Sequence, residues 1–221
     1  MTKPAISKTS IDMNKFRLRT FVDKLIEMGE VEIHDEPVPL SELSRIAEAT
    51  PKAVLFRKAG PEQLELVSSV AGDRRRLAAA FGVPADNAWK EYLKRLESPQ
   101  PVVEVTSEEA PVHQVVIRDD DVDLTKLPFH PQHELDGSTY LGSGIDYTID
   151  PETGNTNVGC RRLSLRNPRE AGINATAPSD LKRIYSKVAA RGQRLPVSFA
   201  VGSHPVDFMA ATMRLPTDEI T

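Results

Sequence analysis

The sequence predicts an α/β domain followed by a second domain of the α+β kind, and three observations carry that prediction. Helical and strand-like apolar periods alternate from Phe16 to Leu96. A proline-rich break, Ser98-Pro99-Gln100-Pro101, then interrupts the pattern. Beyond it, two long strand-like runs flank Asp150-Pro151-Glu152-Thr153-Gly154, where proline favours a turn and glycine supplies a positive φ. The chain is therefore divided into residues 1–100 and 101–221.

Residues 1 to about 14 are polar and aperiodic, as expected of a loose tail. Leu18, Phe21, Val22, Leu25, Ile26 and Met28 recur at helical spacing, and Gly29 stops that helix. Val31 and Ile33 alternate with Glu32 and His34 as in a short strand. Leu40, Leu43, Ile46 and Ala47 mark a second helix, with Ser41 a candidate N-cap. Ala53–Phe56 and Leu64–Val67 are expected as strands, and Arg74–Phe81 and Ala88–Leu96 as helices. In the second part, Val112–Ile117, Tyr140–Ile149, Asn157–Leu165 and Val197–Val201 are expected as strands. Leu181–Ala190 and Pro205–Met213 are expected as helices, the former with Ser179 or Asp180 at its N-cap and Gly192 near its C-cap.

Composition is that of an ordinary globular chain: 39% hydrophobic and 27% charged residues over 221 positions. A net charge of -4 gives no electrostatic reason to expect nucleic acid or an anionic membrane as partner. No apolar run approaches the roughly 20 residues that span a bilayer, and the first residues carry no secretory h-region. The single cysteine, Cys160, admits no intramolecular disulfide, so a reducing, cytoplasmic setting is expected.

Most candidate motifs have an ordinary structural reading. His130 and His133 lie in a proline-rich loop without metal-ligand spacing. Cys160 has no histidine near it in sequence and reads as an inert thiol. Gly142-Ser143-Gly144 resembles a phosphate-cradling loop, but no helix follows it. Thr156-Asn157-Val158-Gly159-Cys160-Arg161-Arg162 is more informative. On a strand, Asn157, Gly159 and Arg161 share one face, and Val158, Cys160 and Arg162 the other. Adjacent arginines suit either a solvated edge or an anion site, where the planar guanidinium meets carboxylate or phosphate in bidentate fashion.

With these residues in view, the sequence resembles the UbiD family of reversible decarboxylases that use prenylated FMN. The resemblance runs from about Leu18 to the end of the chain. It is carried by "LRTFVDKLIEMGEVEIHDEPVPLSELSRIA", by "DGSTYLGSGIDYTIDPETGNTNVGCRRLSL" and by "LPVSFAVGSHPVDFMAATMRLP". It implies that the second domain is an FMN-binding split β-barrel. The family's C-terminal domain, both catalytic glutamates and one metal-ligand glutamate are expected beyond Thr221, so this chain alone is expected not to turn over.

The resemblance also implies site residues. Asn157 matches a ligand of the Mn²⁺ or Mg²⁺ that holds the cofactor phosphate, with K⁺ nearby. Arg162 matches the catalytic arginine. Gly159, Cys160 and Arg161 match the strand along the flavin, Ser179 falls beside it, and Thr212, Met213 and Arg214 match a second flavin-contacting segment. Asp180 stands where the family commonly has a histidine ligand, and serves as ligand, helix cap or both. The implied partner is a small aromatic, heteroaromatic or α,β-unsaturated carboxylic acid, with a homo-oligomer expected for the full-length protein. A non-catalytic flavin-binding or partner-docking module stays open as an alternative; against a flavin reductase-like protein stands the Asn157–Arg162 pair, since reductase chemistry needs no substrate-carboxylate clamp.

Overall fold

The computed structural model describes residues 12, 14–98, 103–175 and 178–213. The expected break at Pro99–Pro101, and Arg214, lie outside the described residues.

The first unit is built on a three-stranded sheet, β1 (Val31–His34), β2 (Ala53–Ala59) and β3 (Leu64–Ser68), in that order. β1 and β2 run parallel, while β2 and β3 form an antiparallel pair. β2 is central, and Ala53-Val54-Leu55-Phe56 is buried throughout. That explains a continuous apolar run where a half-exposed strand would alternate. Val54 and Phe56 pack with Leu43 of α2 (Leu43–Glu48), Val38 and Ala59. Ala53 packs on the other face with Phe21 and Leu25 of α1 (Leu18–Glu27). Each fully buried Leu or Phe contributes roughly 1.5–3 kcal/mol. Helices α3 (Arg74–Phe81) and α4 (Ala88–Leu96) complete the unit. Asp73 caps α3, accepting from the Arg75 N–H, and Gly82 ends it in the left-handed region at φ 74.

The second unit holds β4 (Tyr140–Ile149), β5 (Thr156–Asn167), β6 (Glu170–Gly172), α5 (Asp180–Ala190), β7 (Ser198–Ala200) and α6 (Pro205–Ala211). Its sheet is antiparallel, in the order β6-β5-β4-β7. Among the described residues this sheet is open and does not close into a barrel. β6 pairs β5 only at Ser164–Asn167, so no strand pairs with the outer edge of Thr156–Leu163 among the described residues.

Three expectations need correction. Val112–Ile117 is not a strand: Pro111–His113 is a single 3₁₀ turn, and Val112 and Val115 are 78% and 77% exposed. Without a neighbouring strand to pack against, β-branched residues do not make a strand by themselves. Gly142-Ser143-Gly144 is not a loop but a bulge within β4, with Ser143 at φ 54. Ser41 caps nothing, because Leu40–Glu42 forms a 3₁₀ turn preceded by Pro39.

The two units touch. Ser44 Oγ donates to the Pro131 carbonyl at 2.9 Å. Buried His204, at the start of α6, packs against Phe21 of α1 and Phe16 just before it. No helix among the described residues is long and apolar enough to cross a membrane.

Candidate functional site

β5 and α5 form the walls of a groove of about 590 Å³. Asn157, Gly159 and Arg161 line it from one face of β5, as strand alternation requires. Ser179, Asp180, Lys182 and Arg183 line it from the first turn of α5, and Met213 closes it beyond α6. The structure thus brings together six of the residues singled out from sequence: Asn157, Gly159, Arg161, Ser179, Asp180 and Met213.

The N-terminus of α5 is fixed locally. Ser179 is the cap, in extended conformation at φ -152, and its Oγ accepts from the Lys182 N–H at 3.3 Å. The same hydroxyl accepts from Arg161 Nη2 at 3.3 Å, joining the two walls. Asp180 is therefore the first helical residue and not the cap; its Oδ1 accepts from Arg183 Nε at 3.3 Å.

The hairpin turn is tied to the same helix. Asp150 Oδ1 accepts from the Glu152 N–H at 2.9 Å, and that bond, aided by the Arg183 and Lys187 charges, holds the Asp150 carboxyl below the usual range. Glu152 pairs with both Lys187 of α5 and Arg191 at its C-cap. The motif Asp150–Gly154 thus turns the chain and anchors β4 and β5 against α5, which sets the width of the groove.

Other predicted residues lie elsewhere. Arg162 is exposed on the opposite face of β5, its guanidinium 4.3 Å from the centre of the Tyr140 ring. Cys160 shares that face, and its thiol donates to the Phe208 carbonyl at 3.6 Å. Burial pushes the Cys160 pKa up, so it stays a protonated thiol at neutral pH. Thr212 Oγ1 donates to the Met209 carbonyl at the end of α6. Asn157 and Arg162 therefore sit on opposite faces of one strand, whose outer edge at Thr156–Leu163 has no paired strand among the described residues.

Sequence reasoning passed over Lys182, Arg183 and, above all, Asp146. Asp146 lies opposite Gly159 in the β4–β5 register, fully buried, with Arg161 Nε 3.2 Å from its Oδ1. A Cβ at position 159 would stand 2.9 Å from that oxygen, which accounts for the glycine. A larger cavity, about 1070 Å³, opens between the two units near Leu141, Ser143 and His204, but none of the predicted site residues lines it. The groove is the stronger candidate, because the residues that the family resemblance singles out converge there.

Among the described residues, no group of three or more His, Cys, Asp or Glu side chains could hold a metal ion. The groove offers one carboxylate and one carboxamide, Asp180 and Asn157, beside Arg161, Lys182 and Arg183. Positive groups outnumber negative ones, so the groove is better suited to an anion than to a bare cation.

Comparison with known proteins agrees in fold and in family. Residues 103–221 match the family described as 3-octaprenyl-4-hydroxybenzoate carboxy-lyase Rift-related domain, and residues 22–96 match the N-terminal domain of the same carboxy-lyase. The chain is 31% identical over 200 residues to an anhydromevalonate phosphate decarboxylase from Methanosarcina mazei, covering 90% of this chain and 45% of the relative. It is 28% identical over 213 residues to a phenolic acid decarboxylase from Sedimentibacter hydroxybenzoicus, covering 88% and 44%. The structure of the UbiD-class enzyme HmfF from Pelotomaculum thermopropionicum in complex with FMN superposes with a TM-score of 0.82 at 29% identity, covering 89% of this chain and 45% of that one. The chain belongs to the UbiD family, whose relatives here are decarboxylases. It spans about half the length of the curated relatives it matches.

Proposed function

We propose that this chain is the flavin-holding part of a UbiD-type reversible decarboxylase, a carboxy-lyase acting on an aromatic, heteroaromatic or α,β-unsaturated carboxylic acid with prenylated FMN. The observation that carries the reading is the convergence of Asn157, Arg161, Ser179, Asp180 and Met213 on one groove. The FMN complex of HmfF adds support from a relative of the same fold. The same reading divides the chain near residue 100, between family matches that end at 96 and begin at 103.

Each group has a role in this reading. Arg161, Ser179 and the first turn of α5 take the phosphate of the flavin, with backbone N–H groups and the guanidinium as donors. Asn157 and Asp180 would each offer an oxygen to a divalent ion such as Mn²⁺ or Mg²⁺, a hard cation that would offset the charge of the phosphate. Cys160 and Thr212 would contact the ring system when flavin is bound, as the family resemblance implies. Arg162 would bind the substrate carboxylate in bidentate fashion, and its charge would keep any carboxylate brought beside it ionised. The chemistry that prenylated flavin supplies when bound is an electron sink for the carbon that loses CO₂.

The test is CO₂ release from a panel of aromatic and acrylic acids by the protein at its native length, with prenylated FMN, Mn²⁺ and K⁺ added singly and together. Release that requires the prenylated flavin and is lost in Arg162→Ala is the expected result. Tight flavin binding with no turnover on any acid would favour a binding module and overturn the decarboxylase reading.

A further inference from the structure

We propose that Asp146 is a positioning residue: it holds the Arg161 guanidinium at the wall of the groove, so that Arg161 meets the phosphate of a flavin nucleotide directly. The inference rests on the flavin reading above and extends it to a residue that the resemblance does not assign.

Asp146 sits in the middle of β4, between Gly159 of β5 and Phe199 of β7. It is 0% exposed, and neither carboxylate oxygen accepts a well-directed hydrogen bond from another residue among the described residues. Burial pushes its pKa up, and the nearby Arg161 charge opposes that. A carboxylate buried without donors costs several kcal/mol, and an apolar residue of similar size would pack there more stably. Stability therefore does not account for an aspartate at this position.

Its ion-pair partner Arg161 does. Arg161 Nε lies 3.2 Å from Asp146 Oδ1, close enough for ion pairing, although the N–H is not directed at the oxygen. The Arg161 side chain is 16% exposed, and its Nη2 donates to Ser179 Oγ. Asp146 thus holds the inner edge of the guanidinium while Ser179 takes one outer nitrogen. The fork is fixed beside the first turn of α5, in a groove that also receives Lys182 and Arg183. A planar guanidinium held from behind loses little further freedom on meeting a phosphate. Gly159 belongs to the same device, since a side chain there would collide with the carboxylate.

The experiment is fluorescence titration of the full chain with FMN and with riboflavin, which lacks the phosphate. It compares the parent with Asp146→Asn, Arg161→Ala, the double variant and Gly159→Ala, and records the thermal midpoint of each. The parent should prefer FMN. Arg161→Ala should lose about tenfold or more in FMN affinity, as expected for a charged hydrogen-bond partner, and leave riboflavin unchanged. Asp146→Asn should lose most of the same factor with an unchanged or higher midpoint, and adding it to Arg161→Ala should cost nothing further. Gly159→Ala, which keeps the carboxylate but displaces it, should also lose FMN preference.

Wild-type FMN affinity in Asp146→Asn, additive losses in the double variant, or a lowered midpoint with equal loss of both ligands would each overturn the positioning role. So would failure of Asp146→Asn to fold, because the proposal requires that stability not depend on this carboxylate. A parent that does not prefer FMN would overturn the flavin reading itself, and the positioning role with it.

Discussion

The rings of Phe21 and His204 meet edge to face with centroids 4.9 Å apart, one from helix α1 of the first unit and one from the start of α6 in the second. His204 is 3% exposed, and its Nδ1 accepts from the Val206 N–H. Burial, with help from the Arg95 and Lys24 charges, lowers its pKa from 6.5 to about 4. The unfolded chain therefore takes up a proton near pH 6.5 that the folded chain refuses until about pH 4. Stability from this group is complete above pH 6.5 and drains away as the pH falls to about 4, by roughly 3 kcal/mol in all. His204→Asn keeps a capping oxygen but does not titrate. Urea midpoints at pH 7.5 and pH 4.5 should differ less in that variant than in the parent; equal differences would contradict this account.

Arg76 is 1% exposed, and its Nη1 donates to Glu30 Oε2 at 3.1 Å and to the Pro51 carbonyl at 3.0 Å. Arg76→Ala should cost about 3–5 kcal/mol in urea unfolding, since it strands a largely buried carboxylate and a carbonyl. Arg75, also near Glu30, can offset part of the loss. A cost below about 1 kcal/mol would show that the pair contributes little.

Ser179 has two separable roles. Ser179→Ala should lose about 1 kcal/mol through the missing cap. Ser179→Asp should retain the cap and the stability, yet weaken FMN binding by placing a carboxylate beside the phosphate position. Parallel changes of stability and binding in both variants would argue that Ser179 acts on the helix alone.

Arg162→Ala should leave folding intact, because the residue is exposed, and should lower decarboxylation at native length by about a hundredfold or more. Arg162→Lys should recover little, since an ammonium lacks the planar fork. Full activity in Arg162→Ala would move the substrate-binding role elsewhere.

Local signals were legible wherever one segment decided the outcome. Asp150–Gly154 reads as a turn because Asp150 bonds the backbone two residues on. The continuous Ala53–Phe56 run reads as a buried strand because apolar layers cover both its faces. Val112–Ile117 misled because its residue types suit a strand, whereas strands need partners that local sequence does not specify. Asp146 was invisible for the same reason. Within Gly144-Ile145-Asp146-Tyr147 it is one polar residue in an alternating run, and only the register that sets it opposite Gly159 reveals the neighbouring Arg161. The separation of Asn157 from Arg162 onto opposite faces follows from strand alternation. The open edge at Thr156–Leu163 among the described residues does not, because it depends on where β6 starts to pair.

The most direct measurement of the central claim is a crystal structure of the chain with FMN. The account predicts the phosphate in the groove between β5 and α5, within hydrogen-bond distance of Arg161 and Ser179, with the ring system running along the open edge of β5 toward Arg162. Flavin seated instead in the cavity near Leu141, Ser143 and His204, with Arg161 still held by Asp146 and the groove filled by water, would contradict it.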